Sequence, residues 1–189
     1  HPKLKLYLTE DLTARLVDGL HAGRLDVLLV AIPCECGEAD ARALWRDRFS
    51  VAMRADDPLA KHKTIKPEQL DPDRLLLLQD GHCLREHALA ACKLADPDVA
   101  QAYRGTSLQT LVQMVDNGLG ITLVPQLALD AGLLRGTKTV ARPLAGSEAW
   151  RDIGLAWRRG TARHTEFELL GDTLAGLIER EHARAQRST

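Results

Sequence analysis

Residues 107–125, SLQTLVQMVDNGLGITLVP, predict a helix that leads directly into a buried strand. Ser107 is a typical N-cap residue. The apolar side chains after it recur at the spacing of one helix face: Leu108, Leu111, Val112 and Val115. Gly118 ends this helix, and the apolar run that stops at Pro125 is typical of a strand. The stretch therefore predicts one helix–strand unit of an α/β protein.

The same alternation is predicted near the start of the chain. Residues 3–8 alternate polar and apolar side chains, which indicates a strand with one buried face. Thr9 is then expected to cap a helix that ends at Gly23. Residues 26–32 are almost continuously apolar, as in a parallel strand that is covered on both faces. Together these segments predict a βαβ unit.

Further elements extend the pattern along the chain. Strands are predicted at residues 48–54, 74–78, 103–104, 139–143 and 153–158, with a polar loop at 33–43. A final amphipathic helix is expected from His164 to about residue 185. Repeated β-α alternation of this kind places the chain in the α/β class.

The composition excludes several classes of function. The 189 residues include 25 basic and 26 acidic side chains, so this segment lacks the excess positive charge that grips nucleic acid. Aromatic residues are only 4%, too few for a base-stacking platform. Four cysteines do not form a secreted disulfide framework, and no export signal or membrane span is visible. We therefore expect a cytoplasmic protein with free thiols, cut from a longer chain that began before His1.

Cys83 and Cys92 are nine residues apart in a segment that predicts a helix. Nine residues of α-helix rise about 13 Å and leave the two thiols on opposite faces. A disulfide requires Cα atoms within roughly 7 Å of each other. If oxidation joins these cysteines, the helix between them must first unwind, and oxidation then acts as a conformational switch.

The residues around Cys83 suit a reactive thiol. A thiolate is the reactive form, and the first turn of a helix favours negative charge. His82 and Arg85 offer hydrogen-bond donors nearby. The ordinary alternative is an inert buried thiol, which is the commoner state of a single cysteine. A metal site through Cys83 and His87, one helical turn apart, is a further alternative.

Residues 107–111 with Met114, Val115 and the run 118–125 resemble the effector-binding domain of LysR-type transcriptional regulators. Residues 80–85, DGHCLR, together with Cys92, resemble the redox motif of the peroxide-sensing branch of that family. Residues 2–4 and 23–26 also fit, so the resemblance covers nearly the whole chain.

The resemblance implies two α/β subdomains of the periplasmic-binding-protein type II fold, joined by two crossovers. Residues 1–49 and 153–189 would form regulatory subdomain I, and residues 50–152 subdomain II with the redox cysteines. The family also carries a DNA-binding winged helix-turn-helix, a linker helix and an opening βα unit, none of which is found in these residues.

The resemblance further implies a function. Hydrogen peroxide would oxidise Cys83 to a sulfenic acid, and Cys92 would resolve it as an intramolecular disulfide. Thr13, His82 and Arg151 match positions that hold the peroxide. The switch would rearrange a homodimer of this domain, within a full-length homotetramer, and so activate antioxidant genes through DNA and RNA polymerase. No cofactor, metal or enzymatic turnover is implied.

Other functions remain open on the sequence. A LysR domain that binds a small metabolite shares the fold, with incidental cysteines and an anion niche at Thr106 and Ser107. A thiol peroxidase shares the chemistry, and a periplasmic solute-binding protein shares the architecture. Cys34 and Cys36 lie outside the redox motif, and we expect two exposed thiols in a polar loop.

Overall fold

The computed structural model describes residues 4–79, 83–92 and 104–187. The helices are α1 (Thr13–His21), α2 (Cys83–Ala91), α3 (Leu108–Asp116), α4 (Gln126–Asp130) and α5 (His164–Arg187). The strands are β1 (Val27–Ile32), β2 (Ala39–Arg54), β3 (Leu75–Leu78), β4 (Arg104–Gly105), β5 (Ile121–Pro125), β6 (Thr139–Pro143) and β7 (Trp150–Arg158). Three short 3-10 turns, Pro58–Lys61, Pro67–Gln69 and Pro72–Arg74, link β2 to β3.

Strand β2 is the common element of the sheet. It is 16 residues long and changes partners midway along its length. Residues 39–48 pair antiparallel with β7, whose other edge pairs with β1. Residues 49–54 pair antiparallel with β5 and β6, and β5 continues in parallel fashion to β3 and β4. The result is a mixed sheet with the order β1-β7-β2-β5-β3-β4.

Helices bury both faces of this sheet. Along the first half of β2, α1 covers a cluster around Leu20 and Leu28, and α5 covers Trp157 through Phe167. Along the second half, α2 lies over one large cluster and α3 with α4 over another. Alternate residues of β2 therefore enter different cores, as the two-residue period of a strand requires.

The predicted α/β class and the predicted helix–strand unit are confirmed. Helix α3 begins after Ser107, whose Oγ accepts a hydrogen bond of 3.2 Å from the backbone N–H of Thr110. It ends at a turn in which Gly118 has a φ of +80°, a conformation that favours glycine. All five residues of β5 are buried.

The predicted βαβ unit is only partly correct: its helix and second strand are found as α1 and β1, but its first strand and the parallel pairing are wrong. Residues 4–12 form no strand, and Leu4, Leu6, Tyr7 and Leu8 are exposed. Helix α1 begins at Thr13, with Leu12 and not Thr9 at the N-cap. Strand β1 is antiparallel to β7, its only neighbour among the described strands, and Leu29 is 53% exposed. An alternating segment forms a strand only where a second strand supplies its hydrogen bonds.

The predicted polar loop at residues 33–43 is also too long, because β2 already begins at Ala39. The charged side chains of residues 39–43 made the start of β2 resemble a loop in the hydropathy pattern. Arg42 forms ion pairs with Glu168 and Asp172 of α5, and Asp40 lies 3.5 Å from Arg159. Such pairs let a charged segment form the middle of a sheet. Among the described residues, no helix has the length and apolar character needed to cross a membrane.

We predict that Gly154→Ala destabilises the protein, because β7 lies between β1 and β2 without room for a side chain. A Cβ at Gly154 would meet Ile32 Cδ1 at 2.2 Å and the Arg42 carbonyl oxygen at 2.3 Å. We expect a loss of about 1–3 kcal/mol in the free energy of unfolding, measured by urea denaturation.

Gly176→Ala in α5 is the matched control, since its nearest neighbour is the flexible Arg180 side chain at 3.6 Å. We expect this helix-interior change to be neutral or stabilising by up to about 1 kcal/mol. Equal losses in both variants would contradict the close approach at Gly154.

Candidate redox site

The two cysteines of the DGHCLR segment lie at opposite ends of α2. Cys83 is the first residue of the helix, and Cys92 follows its last residue. The backbone N–H of Cys92 donates to the Ala88 carbonyl at 3.0 Å, so the chain stays helical up to Cys92. Both thiols are free. Nine helical residues separate them by about 13 Å along the axis, as the sequence predicts.

Cys92 is protected by the core. It is 5% exposed and belongs to the same apolar cluster as Ala88, Ala91, Leu75 and Leu77. Burial raises the pKa of the Cys92 thiol to about 12, because the apolar surroundings disfavour a thiolate. In this conformation Cys92 therefore stays protonated at neutral pH and cannot act as a nucleophile.

Cys83 is placed differently, since it is only partly buried. The neighbouring Arg85 is buried, and its guanidinium donates to the Leu78 carbonyl at 3.5 Å, which ties α2 to the end of β3. Leu84 packs against the core clusters on both sides. The start of α2 is thus anchored by its neighbours while Cys83 stays partly exposed.

His87 shares the helix face of Cys83, because it lies four residues later. Partial burial lowers the pKa of His87, the positive charge of Arg151 lowers it further, and Glu86 opposes both effects. Helix α2 also contacts β7, the strand that carries Arg151. A pKa below 6.5 favours the neutral imidazole of His87 at neutral pH.

Arg151 is held in place by Asp47. Its Nε and Nη2 donate to the Asp47 Oδ2 at 3.2 and 3.0 Å, and its guanidinium lies 5.9 Å from the Phe49 ring centroid. Asp47 is 2% exposed and also accepts a hydrogen bond of 3.0 Å from the backbone N–H of Leu127. This carboxylate joins β2, β7 and α4 at the point where β2 changes partners.

The structure brings some of the predicted site residues together and leaves others apart. Arg151 lies on β7, which α2 contacts, and its charge acts on His87 of that helix. Thr13 is the first residue of α1, partly buried, and α1 packs on β1 and β7. Among the described residues, no side-chain hydrogen bond links Thr13 to α2. His82 lies outside the described residues.

The predicted anion niche stays a prediction. Ser107 Oγ serves as the N-cap of α3 and lies 3.0 Å from Thr110 Oγ1. Both residues line an open cavity that also includes Gln113 and Arg135.

The prediction of two exposed thiols at Cys34 and Cys36 is wrong. The two residues are joined by a disulfide with a Cα–Cα distance of 5.2 Å, and Cys36 is 5% exposed. The loop is polar in sequence, but it folds beneath α1, which covers it. As for the metal alternative, no group of three potential ligands is found in the part of the chain that the structure describes.

Sequence reasoning missed Asp47 and considered His87 only as a metal ligand. A signal for Asp47 exists in residues 46–48, Arg-Asp-Arg, where a carboxylate sits between two cations at the start of an apolar strand. Its burial and its pairing with Arg151, 104 residues away, depend on the strand register and could not be read locally.

We predict that Asp47→Asn lowers the free energy of unfolding by about 2–4 kcal/mol, because it leaves the Arg151 guanidinium 13% exposed without its carboxylate. Asp152→Asn is the control, since the Asp152–Arg46 pair is largely exposed and worth under about 1 kcal/mol. Denaturant unfolding of both variants measures the difference. A loss of the same size at Asp152 would contradict a special role for the buried pair.

We predict a histidine-linked pH dependence of stability. The folded pKa of His87 lies below its ordinary value of 6.5, so unfolding takes up a proton as the pH falls through this window. Stability should therefore decline below about pH 6.5 and level off below the folded pKa. In His87→Gln this decline should be smaller than in the unchanged chain. A variant of the exposed His62 should follow the unchanged chain, and identical pH curves for all three would refute the linkage.

Comparisons with known proteins agree with this geometry. The family described as LysR substrate binding domain matches residues 1–177. A probable hydrogen peroxide-inducible genes activator of Streptomyces viridosporus is 37% identical over 175 residues, 92% of this chain and 56% of that protein. The DNA-binding transcriptional dual regulator OxyR of Escherichia coli K12 is 35% identical over 178 residues, 94% of this chain and 58% of that protein. The chain thus spans less than three fifths of these curated relatives.

Among solved structures, the reduced form of the regulatory domain of OxyR2 from Vibrio vulnificus is 41% identical, with a TM-score of 0.85. The match covers 93% of this chain and 83% of that one. This likeness confirms the predicted type of α/β fold.

Proposed function

Because the chain belongs to the LysR substrate-binding domain family, we propose that it is the regulatory domain of a transcriptional regulator that senses hydrogen peroxide. The observation that carries the proposal is the pair of free thiols at the two ends of α2, one accessible and one buried. The names of the relatives, a peroxide-inducible genes activator and OxyR, support it.

In the first step, the Cys83 thiolate attacks one oxygen of hydrogen peroxide. The O–O bond breaks, the sulfur is oxidised to a sulfenic acid, and hydroxide leaves and takes up a proton to become water. The N-terminus of α2 favours the thiolate, and the Arg151 cation favours the oxygen anion that develops. Asp47 supports this step indirectly, because it fixes the guanidinium.

In the second step, Cys92 resolves the sulfenic acid. Its thiolate attacks the Cys83 sulfur, the S–O bond breaks, and hydroxide leaves and takes up a proton to become water as the disulfide forms. A thiol with a pKa of about 12 does not ionise inside the core, so α2 must unwind before this step. Unwinding of α2 both exposes Cys92 and removes the distance that the helix imposes between Cys92 and Cys83.

Three residues are proposed to hold the peroxide: Thr13, His82 and Arg151. A hydroxyl and an imidazole can donate to and accept from the two peroxide oxygens, and a guanidinium donates only. The structural support for Arg151 is its charge effect on His87 of α2, whereas His82 lies outside the described residues.

We propose that residues 1–49 with 153–189, and residues 50–152, act as two subdomains. The change of partners along β2 at residues 48–49 supports this division. In the full-length protein, a homodimer of this domain would reposition DNA-binding segments within a homotetramer, and so alter transcription by RNA polymerase in the cytoplasm. The chain is not proposed as an enzyme, because a sensor is oxidised once and holds that state.

We predict that one equivalent of hydrogen peroxide joins Cys83 to Cys92 within one chain. Trypsin cuts after Arg74, Arg85 and Lys93, so the two cysteines fall on separate peptides, 75–85 and 86–93, which the disulfide would link. Mass mapping should find this linked pair in the unchanged chain and not after Cys83→Ser. Cys92→Ser should instead retain a sulfenic acid at Cys83, detectable by a dimedone adduct.

Unchanged thiols after peroxide would refute the sensor. A metabolite-binding domain would then be favoured, and its thermal shift with ligand would survive Cys83→Ser. Circular dichroism of each variant confirms that a negative result does not come from unfolding.

A further inference from the structure

We propose that Cys34 and Cys36 form a second redox couple, separate from α2, that exchanges with low-molecular-weight thiols and disulfides. The pair lies in the loop between β1 and β2, and its Cα atoms are 5.2 Å apart, within the range that a disulfide requires. Neither residue belongs to the redox motif of residues 80–92.

The two sulfurs differ in access, which assigns each a role. Cys34 is partly buried, whereas Cys36 is 5% exposed and shares a core cluster with Leu20, Leu28 and Val30. A small disulfide in solution can therefore reach Cys34 more easily than Cys36. Cys34 is the attacking and attacked sulfur, and Cys36 is the internal partner that resolves it.

The exchange is balanced in two steps. The Cys34 thiolate attacks one sulfur of a small disulfide, the S–S bond of that molecule breaks, and one thiolate leaves and is protonated. The Cys36 thiolate then attacks Cys34 in the mixed disulfide and releases the second small thiol. The protein dithiol is oxidised by two electrons and one small disulfide is reduced to two thiols. A small thiol in excess reverses both steps.

The surroundings do not favour a fast reaction of this pair with peroxide. Cysteines that react with peroxide lie beside cations that stabilise the thiolate. Here the chain places a carboxylate, Glu35, between the two cysteines and another, Glu38, just after them. Of these two, Glu38 is paired with Arg159 at 3.0 Å. In α2, by contrast, the positive charge of Arg151 acts on His87, four residues after Cys83.

A purely structural role does not explain the pair. A disulfide stabilises chiefly by closing a loop of the unfolded chain, and its contribution falls as the loop becomes shorter. A separation of two residues closes one of the smallest loops possible. The fold already fixes this loop by other means, since His21 Nε2 lies 2.9 Å from the Cys36 carbonyl oxygen.

The loop of residues 33–38 also contacts α1. His21 is the last residue of α1, and Gly37 lies close enough that a Cβ there would be 3.0 Å from His21 Nε2. Oxidation or reduction at residues 34–36 therefore acts on a segment that contacts α1 and leads directly into β2.

The test equilibrates the whole 189-residue chain with glutathione buffers of varied ratio, traps free thiols by alkylation and maps peptides. Trypsin places both cysteines on one peptide, 25–42, so their disulfide makes that peptide lighter by two hydrogens and free of alkylation. We expect this peptide to pass from doubly alkylated to internally oxidised over a defined range of ratios. A peptide that stays doubly alkylated at every ratio overturns the proposal.

Single variants test the two roles. In Cys36→Ser, Cys34 should retain a glutathione adduct because no partner resolves it. In Cys34→Ser, the buried Cys36 should form that adduct at least 10-fold more slowly. Equal rates in variants that circular dichroism shows to be folded would overturn the assignment, as would linkage of two chains through Cys34.

Peroxide separates this couple from the α2 pair. The chain is first fully reduced, so that all four thiols are free. One equivalent of peroxide should then link peptides 75–85 and 86–93, and peptide 25–42 should still become doubly alkylated. Oxidation of 25–42 at the same rate would overturn its assignment to disulfide exchange. Failure at α2 alone would refute the proposed sensor and leave the second couple intact.

Discussion

The buried ion pair between Asp47 and Arg151 lies where β2 passes from one set of strand partners to the other. A carboxylate this deeply buried is stable only if its charge and lone pairs are matched, and Arg151 with the Leu127 N–H matches them. The same contact fixes a guanidinium whose positive charge acts on His87 of α2. The fold requires the pair for its own integrity, and the proposed peroxide chemistry uses the cation that the pair provides.

In the proposed reaction, helix α2 carries both cysteines and keeps them apart. Cys83 lies partly exposed at its first turn, whereas burial in the core raises the pKa of Cys92 at its far end. The packing of α2 would therefore protect the reduced state against premature disulfide formation. Under this proposal, the disulfide forms only when the new S–S bond offsets the burial lost on unwinding.

The sequence was informative where local periodicity decides structure. The unit from Ser107 to Pro125 was predicted correctly, because its cap, its apolar face and its terminal glycine all lie within it. The opening segment and the start of β2 were not, since strand formation depends on distant partners such as β7. In the site, the roles of Cys83 and Arg151 were inferred by resemblance and stay predictions. Asp47 and the Cys34–Cys36 bond were missed, because their significance arises from burial in the folded chain.

The strand pairing described above has a mechanical consequence. Within the described residues, the chain passes between the β7-paired and the β5-paired parts of the sheet along β2, and returns between β6 and β7. Two connections side by side resist stretching and sliding of one part against the other. They allow rotation more easily about the axis that passes through both connections. A shape change that begins at α2 would then rotate one part of the sheet relative to the other about this single axis. Oxidation of one sulfur would thereby cause a movement in one defined direction.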